Sequence, residues 1–145
     1  MTTINTHETD FYTWTQEQAA LLRAGRVTDL DIAGLLEEVE DMGRSERREL
    51  ASRLAVLLMH LLKWKYQPDR QGNSWRLTIE EQRYEVRKEL RDNPGLKSDI
   101  PAFMVDSYEV ARLKAAKETK LQKSTFPTDC PWNFEQVIND DFWPG

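Results

Sequence analysis

The stretch Leu50-Ala51-Ser52-Arg53-Leu54-Ala55-Val56-Leu57-Leu58-Met59-His60-Leu61-Leu62-Lys63-Trp64 decides the fold. Leu50, Leu54, Leu57, Leu61 and Trp64 recur at heptad a/d spacing, and Ala51, Ala55, Leu58 and Leu62 widen the stripe. A stripe that broad needs several neighbours, which predicts a helix at the centre of a bundle. Glu49, Arg53, His60 and Lys63 occupy the polar strip that remains. The longest unbroken apolar run, residues 54–59, falls far short of the roughly 20 residues of a membrane span, so the segment reads as a buried helix.

Upstream, Thr13 with Gln16 three residues on forms a candidate capping box for a first helix, which runs through Ala19, Leu21 and Leu22 and stops at Gly25. Asp29 is the candidate cap of a second. Its Ile32, Leu35, Leu36, Val39 and Met42 share one face, Glu37 and Asp41 point away, and Gly43 marks an end or a kink. Downstream, Gln67 to Asn73 reads as a loop, and a fourth helix starts near Ser74 with Trp75, Ile79, Val86 and Leu90 inward. Asn93-Pro94-Gly95 stops it. A fifth helix begins near Ser98, carries Pro101 in its first turn and runs towards Lys120. The tail places Phe126-Pro127, Cys130-Pro131-Trp132 and Phe142-Trp143-Pro144 around a short helix over 134–139. No stretch alternates with period two, so no strand is predicted. The expected architecture is one all-α domain over 1–145: a helical bundle of about five main helices with a packed aromatic and proline-rich tail. Residues 1–10 are expected to be a flexible N-terminus.

A chain of 145 residues buries roughly 68–70% of its unfolded surface, enough for a core without metals or disulfides. The single cysteine, Cys130, cannot form an intrachain disulfide, and residues 1–10 lack an apolar signal core. These features point to the cytoplasm. The net charge of −5 is unevenly spread: residues 1–43 carry two basic and nine acidic side chains, and residues 44–91 carry twelve basic and seven acidic. The two segments either neutralise each other or leave a basic surface for an anionic partner.

Several stretches taken together resemble a known family. They are Asp10-Phe11-Tyr12-Thr13-Trp14-Thr15, Leu36-Glu37-Glu38-Val39-Glu40-Asp41-Met42-Gly43-Arg44-Ser45-Glu46, His60-Leu61-Leu62-Lys63-Trp64, Ser74-Trp75 with Ile79, Gln82 and Arg83, and the tail. The combination resembles the bacterial family catalogued as domain of unknown function 29, over roughly residues 10–144. The resemblance implies an all-helical bundle and supplies no activity, cofactor or catalytic residue.

The chemistry is constrained by what the residues lack. A carboxylate-bridged di-metal site in a bundle wants Glu-x-x-His on two helices, but Leu57 stands three before His60 and Ile4 three before His7. No metal and no cofactor is expected. Ser45 and His60 on one helix would sit about 22 Å apart, too far to share a proton. Asp129 and Pro131 flank Cys130, and the carboxylate opposes a thiolate there. Residues 32–42 are too acidic to enter a DNA groove. Two constellations remain. Gln82 falls in the middle of an apolar face and His60 at the edge of another, so Glu38, Glu40, His60 and Gln82 form a candidate polar cluster, serving either structural hydrogen bonds or a small ligand pocket. Lys63, Lys65, Arg70, Trp75 and Arg76 interleave cations with aromatics, as an anion or nucleic-acid surface does, although Trp64 and Trp75 also suit closure of a core. The leading expectation is a helical interaction or regulatory module without catalysis, with a protein partner and no membrane. The alternative is an enzyme or nucleic-acid-acting protein using residues 44–91 and a polar cluster near His60. Leu77 and Tyr84, seven apart on the outer face of the fourth helix, offer a stripe for homo-oligomer formation.

Overall fold

The computed structural model describes residues 6–145, all helix, turn and connecting segment, with no strand among the described residues. Among the described residues six α-helices follow one another: α1 (Thr6–Thr9), α2 (Phe11–Arg23), α3 (Ile32–Tyr66), α4 (Asn73–Asp92), α5 (Ile100–Thr119) and α6 (Phe134–Ile138). The chain divides into two compact units, Met1–Arg44 and Ser45–Gly145. Among the described residues no helix is long and apolar enough to cross a membrane. Of the N-terminal segment expected to be flexible, residues 1–5 lie outside the described residues, while Thr6–Thr9 forms a helical turn.

The second and third predicted helices are one helix of 35 residues. Gly43 neither ends nor interrupts α3. A glycine in a helix costs about 1 kcal/mol relative to alanine. Its neighbours are strong helix formers, and Arg44 pairs with Asp41 and Glu40 one turn back. The caps also differ from expectation. Asp10, not Thr13, caps α2, accepting from the Thr13 amide at 3.0 Å. Asp31, not Asp29, precedes α3 and accepts from the Gly34 amide at 3.0 Å. A carboxylate one residue before the first helical turn reaches donors that Thr13 and Asp29, displaced in register, do not. Gly25 does close the end of α2, with φ +70°.

In the Met1–Arg44 unit, α1 and α2 accompany the first thirteen residues of α3. Trp14 is buried there, and its indole nitrogen donates to Asp31 at 2.9 Å. In the Ser45–Gly145 unit, Leu50, Leu54, Leu57, Leu58 and Leu61 are at most 1% exposed, packed with Ile79, Val86, Phe103, Ala111 and Ala115. The tail docks on this core. Phe126, Trp132 and Val137 are buried, and the Trp143 ring lies 4.7 Å from that of Trp64. Side chains of α4 and α5 hold its main chain: Arg83 donates to the carbonyl of Val137 at 2.8 Å, Arg87 to Ile138 at 2.7 Å and Tyr108 to Pro127 at 2.5 Å. The last carbonyls of α6 and that of Pro127 have no helical partner, so these donors satisfy groups that packing would otherwise leave unpaired.

Candidate functional site

In the Met1–Arg44 unit, Glu38 accepts from His7 Nε2 at 2.6 Å, and the His7 ring lies 4.3 Å from that of Trp14. That hydrogen bond, ahead of the charges of Glu37 and Glu38, raises the His7 pKa above the usual imidazole value. Beside it, Asp31 takes hydrogen bonds from the Gly34 amide and the Trp14 indole, which hold its carboxyl below the ordinary range, and its own amide donates to Gln18 at 2.8 Å. Gly34 permits the close approach: a Cβ there would stand 2.9 Å from the Trp14 ring. His7, Trp14, Gln18, Asp31 and Gly34 line a polar hollow of about 620 Å³. Glu40 faces Arg44 at 4.0 Å, on the surface.

The same unit carries an apolar row open to solvent. Ile32, Leu36, Val39 and Met42 are 61%, 56%, 57% and 60% exposed. Amphipathic spacing predicts Ile32, Leu35, Leu36, Val39 and Met42 on one covered face; Leu35 is half-buried, but the other four are not covered as the inner side of a bundle helix would be. The buried side of α3 in this unit is instead the one carrying Gly34, Leu35 and Glu38.

His60 and Gln82 belong to the Ser45–Gly145 unit, and each has its own surroundings. The His60 Nδ1 lies 2.9 Å from the Val56 carbonyl, a bond within its own helix, and burial pulls its pKa below the usual imidazole value. Gln82 is buried with its Oε1 unpaired among the described residues. Arg83 next to it is the polar residue that residue-type reasoning missed. It is fully buried, donates to Val137 and Phe142, and stacks under the Trp143 ring at 5.1 Å. Its position, four after Ile79 and three before Val86, is a helical core position that the sequence displays.

The basic and aromatic set is partly drawn together. Lys63 Nζ sits 4.7 Å above the Trp75 ring and 3.4 Å from Glu118. Arg76 lies 5.3 Å from the Trp143 ring and 3.7 Å from Glu80, and Lys65 lies 5.6 Å from the Tyr66 ring. Arg70 is exposed in the turn after α3. Trp75 is half-buried beneath Lys63 rather than sealed in the core. Cys130 is a half-buried thiol whose pKa burial pushes up, which disfavours the nucleophilic thiolate.

Comparison with known proteins adds one relationship. No curated protein and no solved structure matches the chain. The family model described as domain of unknown function DUF29 matches residues 6–143, nearly the whole chain. With the helical architecture and the stretches that first suggested it, this match places the protein in the domain of unknown function DUF29 family.

Proposed function

We propose that this protein is a cytoplasmic helical interaction module without catalysis, and that its N-terminal unit receives an amphipathic helix whose apolar row is flanked by lysine or arginine. The exposed row of Ile32, Leu36, Val39 and Met42 carries this reading. Four large apolar side chains, each more than half exposed and spaced to lie along one helix, form a contiguous patch of the kind that marks a partner surface. The charge around it selects the partner. Residues 1–44 carry three arginines against nine carboxylates, and Glu40, four residues after Leu36, lies along the edge of the row. A second copy of this face would bring carboxylates against carboxylates, whereas a basic amphipathic helix complements it.

The test is fluorescence anisotropy with two designed peptides of identical leucine spacing, one flanked by lysine and one by glutamate. The lysine peptide should bind, weaken with added salt and be lost on Leu36→Asp with Val39→Asp, while the far-ultraviolet circular dichroism of the double variant stays that of wild type. Binding of neither peptide would sink the reading. The nucleic-acid alternative has less behind it, because Lys63 and Arg76 already face aromatic rings and carboxylates. A single-stranded oligonucleotide should therefore not bind at physiological salt.

A further inference from the structure

The Ser45–Gly145 unit contains a cleft of about 900 Å³ between α5 and the C-terminal segment. Its volume is within the range of small-molecule sites. The apolar part of its wall includes Ile100, Val105, Met104, Trp132 and Phe134. Four carboxylates share the lining, those of Asp106, Glu109, Asp129 and Glu135, and no lysine or arginine does. Glu109 is paired with Lys123 at 2.9 Å. Among the described residues, Asp106, Asp129 and Glu135 are in no ion pair. Tyr108 also lines the cleft, but its hydroxyl is committed to the Pro127 carbonyl.

The geometry points to a binding site for a small organic cation: a protonated amine joined to a flat apolar body. Three uncompensated carboxylates against an apolar wall concentrate negative potential in the cleft, because the low-dielectric side of the cavity focuses the field. That potential excludes anions. Trp132 and Phe134 in the lining favour a ligand with an apolar body, and aromatic rings attract a cationic head as well. An uncharged apolar ligand would use the wall alone. A metal ion would use the carboxylates alone and leave the wall without a role. Only an amine with an apolar body uses both. The cleft lies wholly within one unit and is independent of the helix-docking face proposed above.

The experiment is a nuclear magnetic resonance titration of the full chain with phenethylamine and, separately, with phenylacetate. The two probes share a ring and differ in the sign of the charge. The indole N–H resonance of Trp132 is assigned by its loss in Trp132→Phe. Phenethylamine should shift that resonance, and phenylacetate should not. Asp106→Asn with Asp129→Asn should weaken phenethylamine by at least about threefold, the scale of exposed charge pairs, and added salt should weaken it further. Both aspartates are exposed, so the amide variants keep the fold, which circular dichroism checks. Equal shifts with both probes would overturn the charge selection. No shift with phenethylamine, or a shift unchanged in the double variant, would overturn the site.

Discussion

The guanidinium of Arg83 donates from Nε to the carbonyl of Val137, 54 residues further along the chain, at 2.8 Å. The same side chain donates from Nη2 to the carbonyl of Phe142 at 2.6 Å. Arg83 has no exposed surface, and burial pulls its pKa below the ordinary guanidinium value; a guanidinium keeps its charge inside a protein. One cation therefore fixes two points of the tail on α4.

Removing that cation should free the tail. Arg83→Ala leaves two carbonyls unpaired and opens a cavity, and each hydrogen bond from a charged donor contributes about 1.5–3 kcal/mol. A loss of about 3 kcal/mol is expected in urea denaturation. Arg83→Lys should recover little of it, because an ammonium cannot reproduce the planar fork that reaches both carbonyls. Full recovery by lysine would show that charge, rather than fork geometry, holds the tail.

Leu57 tests the core itself. It is fully buried, and its neighbours come from the rest of the central cluster. Leu57→Ala should cost about 2–5 kcal/mol, the usual range for a large-to-small change in a core. A loss below about 1 kcal/mol in chemical denaturation would mean that the centre of the bundle lies elsewhere.

The leucine series from Leu50 to Leu61 was legible because heptad spacing and side-chain volume point the same way, and the tail because aromatic residues beside prolines need cover. The uncovered face at Ile32, Leu36, Val39 and Met42 was not legible. Amphipathicity states which side of a helix is apolar and says nothing about whether another element reaches it. The continuity of α3 through Gly43 was hidden for a different reason: one glycine costs too little to outweigh the helix formers around it. Arg83 sat in plain view at a core spacing, but a charged residue type argues against burial until its acceptors are seen, and here they are main-chain carbonyls that no sequence pattern displays. The partnership of His7 with Glu38 spans 31 residues and depends on how α1 turns back, which periodicity does not encode.

Gly34 should tolerate no larger side chain. A Cβ there would stand 2.9 Å from both the Trp14 ring and the Asp31 carboxyl carbon, inside van der Waals contact. Gly34→Ala must push one of them away and with it the bond from the Trp14 indole to Asp31. Overpacking of this kind costs about 1–3 kcal/mol. Hydrogen exchange should quicken at the Trp14 indole and along α2. Unchanged exchange at both would show that Trp14 shifts without cost.

Glu89 makes stability depend on pH. Its carboxyl, hydrogen-bonded to that of Glu46 and partly buried, is pushed up to about 7, with Glu49 and Asp92 adding like charge. Asn93 Nδ2 approaches both carboxylates, at 3.2 Å from Glu89 and 3.4 Å from Glu46, but one amide cannot compensate two negative charges. The unfolded chain releases the Glu89 proton near pH 4.3, whereas the folded chain holds it to about 7. The unfolded state therefore binds fewer protons between those values, and stability falls as pH rises across that window. The carboxyl is only partly buried, so screening limits the loss to about 1 kcal/mol. The melting temperature should drop between pH 4.5 and pH 7.5, and Glu89→Gln, which keeps a donor for Glu46 and carries no charge, should flatten that drop and stabilise the protein at pH 7.5. Glu46→Gln should flatten it too, by returning Glu89 towards the ordinary carboxylate range. The same pH slope in wild type and in both variants would place the titrating group elsewhere.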